Sequence, residues 1–479
     1  MKKTLALLML VLFMAFIAAC NREPAAEEPE TPNVPAPEQQ QENETVPEDE
    51  PTTTNYRDLN RTIRVACWWT YMPETGSEPP DPATSANYHN DRLWYDNQRR
   101  VEEGFNVRFE NLVIPWEAGI TNLTASVLAG DPFAEWVMLP GDHMIPALLG
   151  GLALTADEFA SPTSDLMTNQ RFVEQRIAFQ GDLFGFGRAE RRVQSTGMGV
   201  NLDIIRAVGA PNPIDLWNDG MWTWDAMREV MALATRDTTG DGNIDQFGLS
   251  GYVGAILRNL IATNSGMLLD ESTLTYAMDD PRTITALEFM NDIFINGWWN
   301  WDQTGSTAVW DWGRNTWIYQ DGQSALFPLE TWMVAEQGIG FDFAIVPFPR
   351  GPEGGQYHTM AGFYHAILIP TGTEMPEDIF YIYEELQSWA RHDPDLFHEG
   401  TIDAMRRYWP TEGDVYRVIF NLGDLNTRKF DLGFAIPEYT WIFGSIADNL
   451  FTGAQTPMQI IEEQRPMRQE LIDNAFAGF

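Results

Sequence analysis

Between Thr62 and Leu139 strand-like and helix-like stretches alternate in an order that leaves few architectures open. Thr62–Trp69 alternates and then turns apolar, as a strand does, before a loop rich in Pro, Glu, Ser and Asp from Pro73 to Asp81. Asp91–Gly104 carries Leu93, Trp94, Asn97 and Val101 at helical spacing, with Gly104 expected as the left-handed residue that closes the helix. A strand over Asn106–Ile114 follows, then a helix over Thr121–Ala129 ended by Gly130-Asp131-Pro132. A buried strand over Phe133–Leu139 then leads to Pro140-Gly141-Asp142-His143, where His143 by itself reads as a polar loop residue. Strands joined through helices run parallel, and an open parallel sheet binds ligands beyond its strands' carboxyl ends. Trp68, Trp69, Asp142 and His143 are therefore expected along one rim.

What precedes this pattern is not core. Lys2-Lys3, the apolar run Thr4–Ile17 and the small residues before Cys20 have the form of a secretory signal over residues 1–19, too short for a comfortable membrane span. Ile17-Ala18-Ala19-Cys20 also resembles a bacterial lipobox, which implies lipid on Cys20 and a place at the cell surface, anchored to the cell membrane. Residues 20–57 read as an extended tether, because Glu, Pro, Gln and Thr cannot bury enough surface to fold. With Cys20 lipidated, Cys67 is the one remaining thiol, so stability must come from packing and Cys67 is expected in the core. A formal net charge of −39 excludes nucleic acid as a partner.

Farther along, Gly181–Gly187 (GDLFGFG) is flexible enough to cross between lobes, Asn201–Val208 begins a helix, and Pro211–Gly220 reads as a loop. Thr223 looks like the cap of a helix running to Thr235. Trp298, Trp299, Trp301, Trp310, Trp312 and Trp317 crowd a polar stretch that cannot bury them all in one layer. Ser324–Arg350 holds two apolar runs, Ala325–Leu329 and Phe341–Phe348, around Trp332. Amphipathic helices are expected over Pro376–Ala390 and Pro457–Ala475.

Asp237, Thr239, Asp241, Asn243 and Asp245 stand at alternate positions around Gly242, the spacing of an EF-hand-like calcium loop. Position twelve is Gly248, so the usual bidentate Glu is missing. A structural Ca2+ ion and a plain Gly-rich polar turn are both open; no other cofactor is expected.

Several segments, taken in order, resemble the extracellular solute-binding proteins (family 1, sugar-binding type) of bacterial ABC importers. They are Leu128-Ala129-Gly130-Asp131-Pro132, Gly199-Val200-Asn201, Met221-Trp222-Thr223-Trp224-Asp225 and Thr235-Arg236-Asp237. Gly240–Gly248 and the VPFPRGPEG that begins at Val346 continue the series. The resemblance implies a two-lobed α/β periplasmic-binding-protein-like fold of type II, its hinge crossed three times. Lobe 1 would comprise residues 58–187 and 365–411, lobe 2 residues 188–364 and 412–479, with the second crossing near Gly362–Ile369. It also implies a monomer that hands its solute to ABC permease subunits. By the same resemblance Trp332 and Trp441 look like aromatic platforms, Asp142 like a polar sugar ligand, and Glu190 lies near the first crossing.

Sugars present apolar C–H faces fringed by hydroxyls, so their sites combine flat rings with carboxylates or amides. Trp332, Trp441, Trp68 and Trp69 could supply the first and Asp142, Glu330 and Glu190 the second, although a Trp is more often core and an acid more often solvated. The expected activity is capture of an oligosaccharide without chemistry. A binder of a peptide or cationic solute and a secreted glycoside hydrolase stay open as alternatives.

Overall fold

The computed structural model describes residues 57–68, 76, 78–83, 88–115, 118–168, 177–179, 182–186, 196–299, 322–330, 339–357, 359–360, 365–390, 428–429, 436 and 442–477. Tyr56–Phe479 form one compact unit. Cys20, with the stretch expected to be a signal and most of the expected tether, lies outside the described residues. Among the described residues no helix is long and apolar enough to cross a membrane.

The first half follows the expected alternation: β1 (Arg61–Cys67), α1 (Tyr88–Phe105), β2 (Val107–Val113), α2 (Ala118–Leu128), β3 (Trp136–Pro140) and α3 (Gly141–Leu149). Next come α4 (Asp165–Thr168), β4 (Ile177–Phe179) and β5 (Asp182–Phe186). β1 lies between β2 and β3, parallel to both. The pleat sends alternate residues to opposite faces: Ile63, Val65, Cys67, Trp136 and Met138 enter one core, Ala66, Val137 and Leu139 the other. Val101 and Phe105 of α1 cover the first face, and Leu123 of α2 with Met144 and Ala147 of α3 cover the second. Cys67 is buried, as expected.

The chain continues through β6 (Thr196–Asn201), α5 (Leu202–Val208), α6 (Pro213–Asn218), α7 (Trp224–Ala234), β7 (Phe247–Leu249) and α8 (Val253–Thr263). It goes on to the hairpin β8 (Leu269–Asp270) and β9 (Thr275–Tyr276), α9 (Pro281–Ile295), β10 (Ser324–Glu330) and β11 (Phe343–Val346). A second sheet forms in the order β11-β6-β10-β7. The two apolar runs of Ser324–Arg350 are thus β10 and β11, but they are not neighbours, since β6 lies between them.

After β12 (Thr359–Met360) the chain rejoins the first sheet: β13 (His365–Leu368) inserts between β3 and β5 and is antiparallel to both, giving the order β2-β1-β3-β13-β5-β4. Helix α10 (Pro376–Gln387) then covers the first core beside α1 through Ile379, Phe380, Ile382, Tyr383 and Leu386. Asn97 fastens it by donating to the carbonyls of Glu385 (3.0 Å) and Leu386 (2.8 Å), while Arg100 pairs with the buried Glu385 carboxylate at 3.0 Å. β14 (Arg428–Lys429) pairs with β12, and α11 (Ile442–Phe451) and α12 (Pro457–Ala475) pack against α9 beside the second sheet.

Four local expectations need correction. Gly104 stays inside α1; the left-handed residue is Asn106 (φ 51°), because Phe105 must keep its helical position to be buried. Pro211–Gly220 is not all loop: Asn212 caps a short helix by accepting from Ile214 N at 3.1 Å, and Pro213 and Trp217 bury against the core. Gly181–Gly187 is not a loose crossing, since Asp182–Phe186 is β5, held by ladders to β4 and β13. His143 is not in a loop, because α3 starts directly after β3.

One close approach governs the second sheet. Gly199 stands opposite Phe327, and a Cβ there would lie 2.1 Å from the Phe327 ring. Gly199→Ala should therefore cost about 1–3 kcal/mol by overpacking. A urea titration should show a lower midpoint for Gly199→Ala and partial recovery when Phe327→Leu is added.

Candidate functional site

Strand register alone places the two carboxyl rims. In the first sheet β1, β2 and β3 end together at Cys67, Val113 and Pro140, and β13 starts at the same edge, where His365 faces Pro140. In the second sheet β7 and β10 run parallel and β6 runs against both β10 and β11. Leu249, Glu330 and Val346 therefore end on the side where β6 begins at Thr196.

The chain leaves the first sheet from the end of β5 and enters the second at Thr196; it leaves the second after Val346 and re-enters the first at His365. Both links therefore join one carboxyl rim to the other. From Phe186 to Thr196 an extended chain can span no more than about 35 Å, which keeps the rims close. A third passage separates α10, packed on α1, from α11, packed on α8 and α9.

No protein-family model matches the chain, and no curated protein does. Solved structures do. A cyclic α-maltosyl-1,6-maltose binding protein of Arthrobacter globiformis matches with TM-score 0.60 and 13% identity, covering 86% of this chain and 99% of that one. An ABC substrate-binding protein of Listeria monocytogenes, in complex with cycloalternan, matches with TM-score 0.58 and 13% identity, covering 87% and 99%. The maltose/maltodextrin-binding domain of Bdellovibrio bacteriovorus, bound to maltotriose, gives TM-score 0.56 and 14% identity, covering 87% and 100%. This chain has the two-lobed α/β fold of the solute-binding proteins.

In such a fold the facing rims are where a solute would lie. Trp68 follows β1 at the first rim; it is partly buried and packs against the core formed by Ile63, Val65 and Cys67. Asp142 sits in the first turn of α3 on the same rim, and Glu330 is the last residue of β10 on the opposite one, paired with Thr196. Trp69, Glu190, Trp332 and Trp441 lie outside the described residues.

Sequence reasoning missed Ser250-Gly251-Tyr252, which follow β7 at the second rim. Gly251 takes φ 105°, which few side chains tolerate, and the Tyr252 ring lies over Gly254, where a Cβ would come within 2.8 Å of it. The three-residue β7 is too short to betray itself by alternation, and the glycines were its one signal.

Of the crowded tryptophans, Trp299 is buried edge-on against Phe294 and Trp298 packs on the core; Trp301, Trp310, Trp312 and Trp317 lie outside the described residues. Two of the motifs behind the resemblance hold each other. Trp222 Nε1 donates to Pro347 O at 2.8 Å, Arg350 N to Trp222 O at 3.1 Å, and Trp224 N to Arg350 O at 3.0 Å. They are scaffold beneath the rim.

In the 237–245 loop, Asp237 accepts from the backbone of Thr239 (3.0 Å), Gly240 (2.6 Å) and Gly242 (2.7 Å), and Asp245 from Thr238 N at 2.7 Å. Backbone donors from Gly242 and Asn243 hold the carboxyls of Asp237 and Asp241, respectively, below the usual carboxylate range, keeping both ionised. The donor chemistry suits a hard cation. The oxygens are nevertheless turned to their own loop, and among the described residues no group of three or more His, Cys, Asp and Glu side chains gathers to hold an ion.

Asp448 lies on α11, seven residues after Trp441 in the chain. Its buried Oδ1 has no hydrogen-bond partner among the described residues, and burial raises its pKa. With the folded value above the unfolded one, its favourable contribution is present below the unfolded pKa and disappears as pH rises through the folded pKa. Asp448→Asn should accordingly raise the melting temperature at pH 7, and the gain should vanish as the pH falls toward about 4. A calorimetric pH series on both proteins would show this.

Proposed function

We propose that this protein is an extracellular solute-binding lipoprotein that captures an oligosaccharide between its lobes and presents it to an ABC import permease. The rim-to-rim linkage of the two sheets carries this reading, because it sets one pair of strand ends opposite the other across a hinge. Aromatic faces from Trp68, Trp69, Trp332 and Trp441 would cover sugar C–H surfaces, and Asp142, Glu190 and Glu330 would take hydroxyls. Lobe closure then excludes water without any bond being made or broken. The solved structures of this fold whose bound ligands are cycloalternan and maltotriose support a saccharide. Lipid on Cys20 would keep the protein at the membrane, and a Cys20→Ala chain should be released into the medium.

Calorimetry against maltotriose, mannotriose, cycloalternan and a cationic peptide tests the solute class. One of the saccharides should bind, remain chemically intact, and lose at least about fivefold in affinity with Trp332→Ala, as expected for one stacking ring. Saccharide binding unchanged by Trp332→Ala would remove Trp332 from the site, and binding of the peptide alone would overturn the saccharide reading.

A structural Ca2+ ion at Asp237, Thr239, Asp241, Asn243 and Asp245 is a separate proposal, supported by oxygen-bearing side chains at alternate positions. It requires those oxygens to turn from their loop to a common centre. Calcium should raise the melting temperature and a chelator lower it; no change with either would argue against the ion.

A further inference from the structure

We propose that helix α8 is a rigid strut that couples the second ligand rim to the chain entering the second crossing, so that a change of contact at one end is transmitted to the other. This rests on the reading of the rims as the solute site.

The helix is unusual in composition and burial. All eleven residues from Val253 to Thr263 are buried, Arg258 and Asn259 among them, so it has no solvent face along which to slide. At about 1.5 Å per residue it spans roughly 16 Å. Its amino end emerges from Ser250-Gly251-Tyr252, tied to the second sheet where Ser250 N donates to Leu326 O of β10 at 3.1 Å and Leu249 N to Trp298 O at 2.9 Å.

The carboxyl end grips the segment that leads out of the second sheet. Gly351 N donates to Thr263 O at 3.1 Å. Asn264, fully buried, accepts from Glu353 N at 2.9 Å and donates to Arg282 O at 2.8 Å, joining the segment to the start of α9. The contact leaves no slack: a Cβ on Gly354 would fall 1.8 Å from Thr263 O, and one on Gly351 2.4 Å from Asn264 Oδ1. Thr359–Met360, the last described residues before the chain re-enters the first sheet at His365, also pack on this helix.

A close-packed helix moves as a body rather than deforming, so a shift at Tyr252 must reappear at Gly351–Gly354. The converse holds with the same free energy, since coupling is reciprocal. The path is contiguous, by backbone hydrogen bonds at each end and one helix between, rather than inferred from position alone.

Amide hydrogen exchange on the full chain without sugar tests the coupling in both directions. Gly354→Ala, at the hinge end, should speed exchange of Ser250–Gly254 at least about threefold, while β1, β2 and the neighbouring helix α9 stay at their original rates. Tyr252→Ala should speed exchange of Gly351–Tyr357 to a similar degree. Should Gly354→Ala fail to fold, Tyr252→Ala carries the measurement from the other end. Changes confined to the mutated end, or spread equally over α8 and α9, would overturn the strut. No sugar is needed, so a failure here is distinct from a failure of the saccharide panel.

Discussion

The two-lobed arrangement depends on the pairing of β13 with β3. His365 faces Pro140 and Leu368 faces Val137, so a strand that arrives after the whole second sheet completes the first one. That pairing forces the chain to cross from lobe to lobe. Because β13 is antiparallel to β3, it must begin at the carboxyl rim, and the crossing segment is thereby pinned to the edge where the neighbouring strands end.

The returning segment is secured beyond its ladder. Helix α10 adds Ile379, Phe380 and Tyr383 to the core that α1 covers, and Asn97 and Arg100 bind its last turn. At the opposite edge of the same sheet Glu135, only 4% exposed, accepts from Arg61 at 2.8 Å and from Arg64 N at 2.7 Å. Its carboxylate is the main reason the Arg64 guanidinium is held above its ordinary pKa. Charges placed there fix the start of β3 against β1.

Rigid lobes and defined links give the binding reading its physical content. A saccharide can be held only if rings and carboxylates from both rims keep their relative positions when the lobes meet, and each rim stands on scaffold. Trp222 bonded to Pro347 and Trp224 stacked 4.6 Å from Phe289 support the second rim, while Cys67 O bonded to Ile114 N knits β1 to the end of β2 at the first. Several tryptophans that could pass for ligand platforms serve this purpose instead.

By itself the sequence determined the local units. The alternation in Thr62–Leu139 set the first parallel sheet, and the caps at Asn201, Thr223 and Thr456 set helix starts, because periodicity and capping are decided within a few residues. Cys67 in the core was legible for the same reason. Only the tertiary structure decided that Asp182–Phe186, inside the Gly-rich stretch 181–187, is a strand, that Asn106 rather than Gly104 turns left-handed, and that β6 separates β10 from β11. It likewise brought Ser250–Tyr252 to the rim. Each of these depends on a partner distant in sequence, a ladder or a buried side chain, and short-range pattern carries no record of which distant residue will supply it.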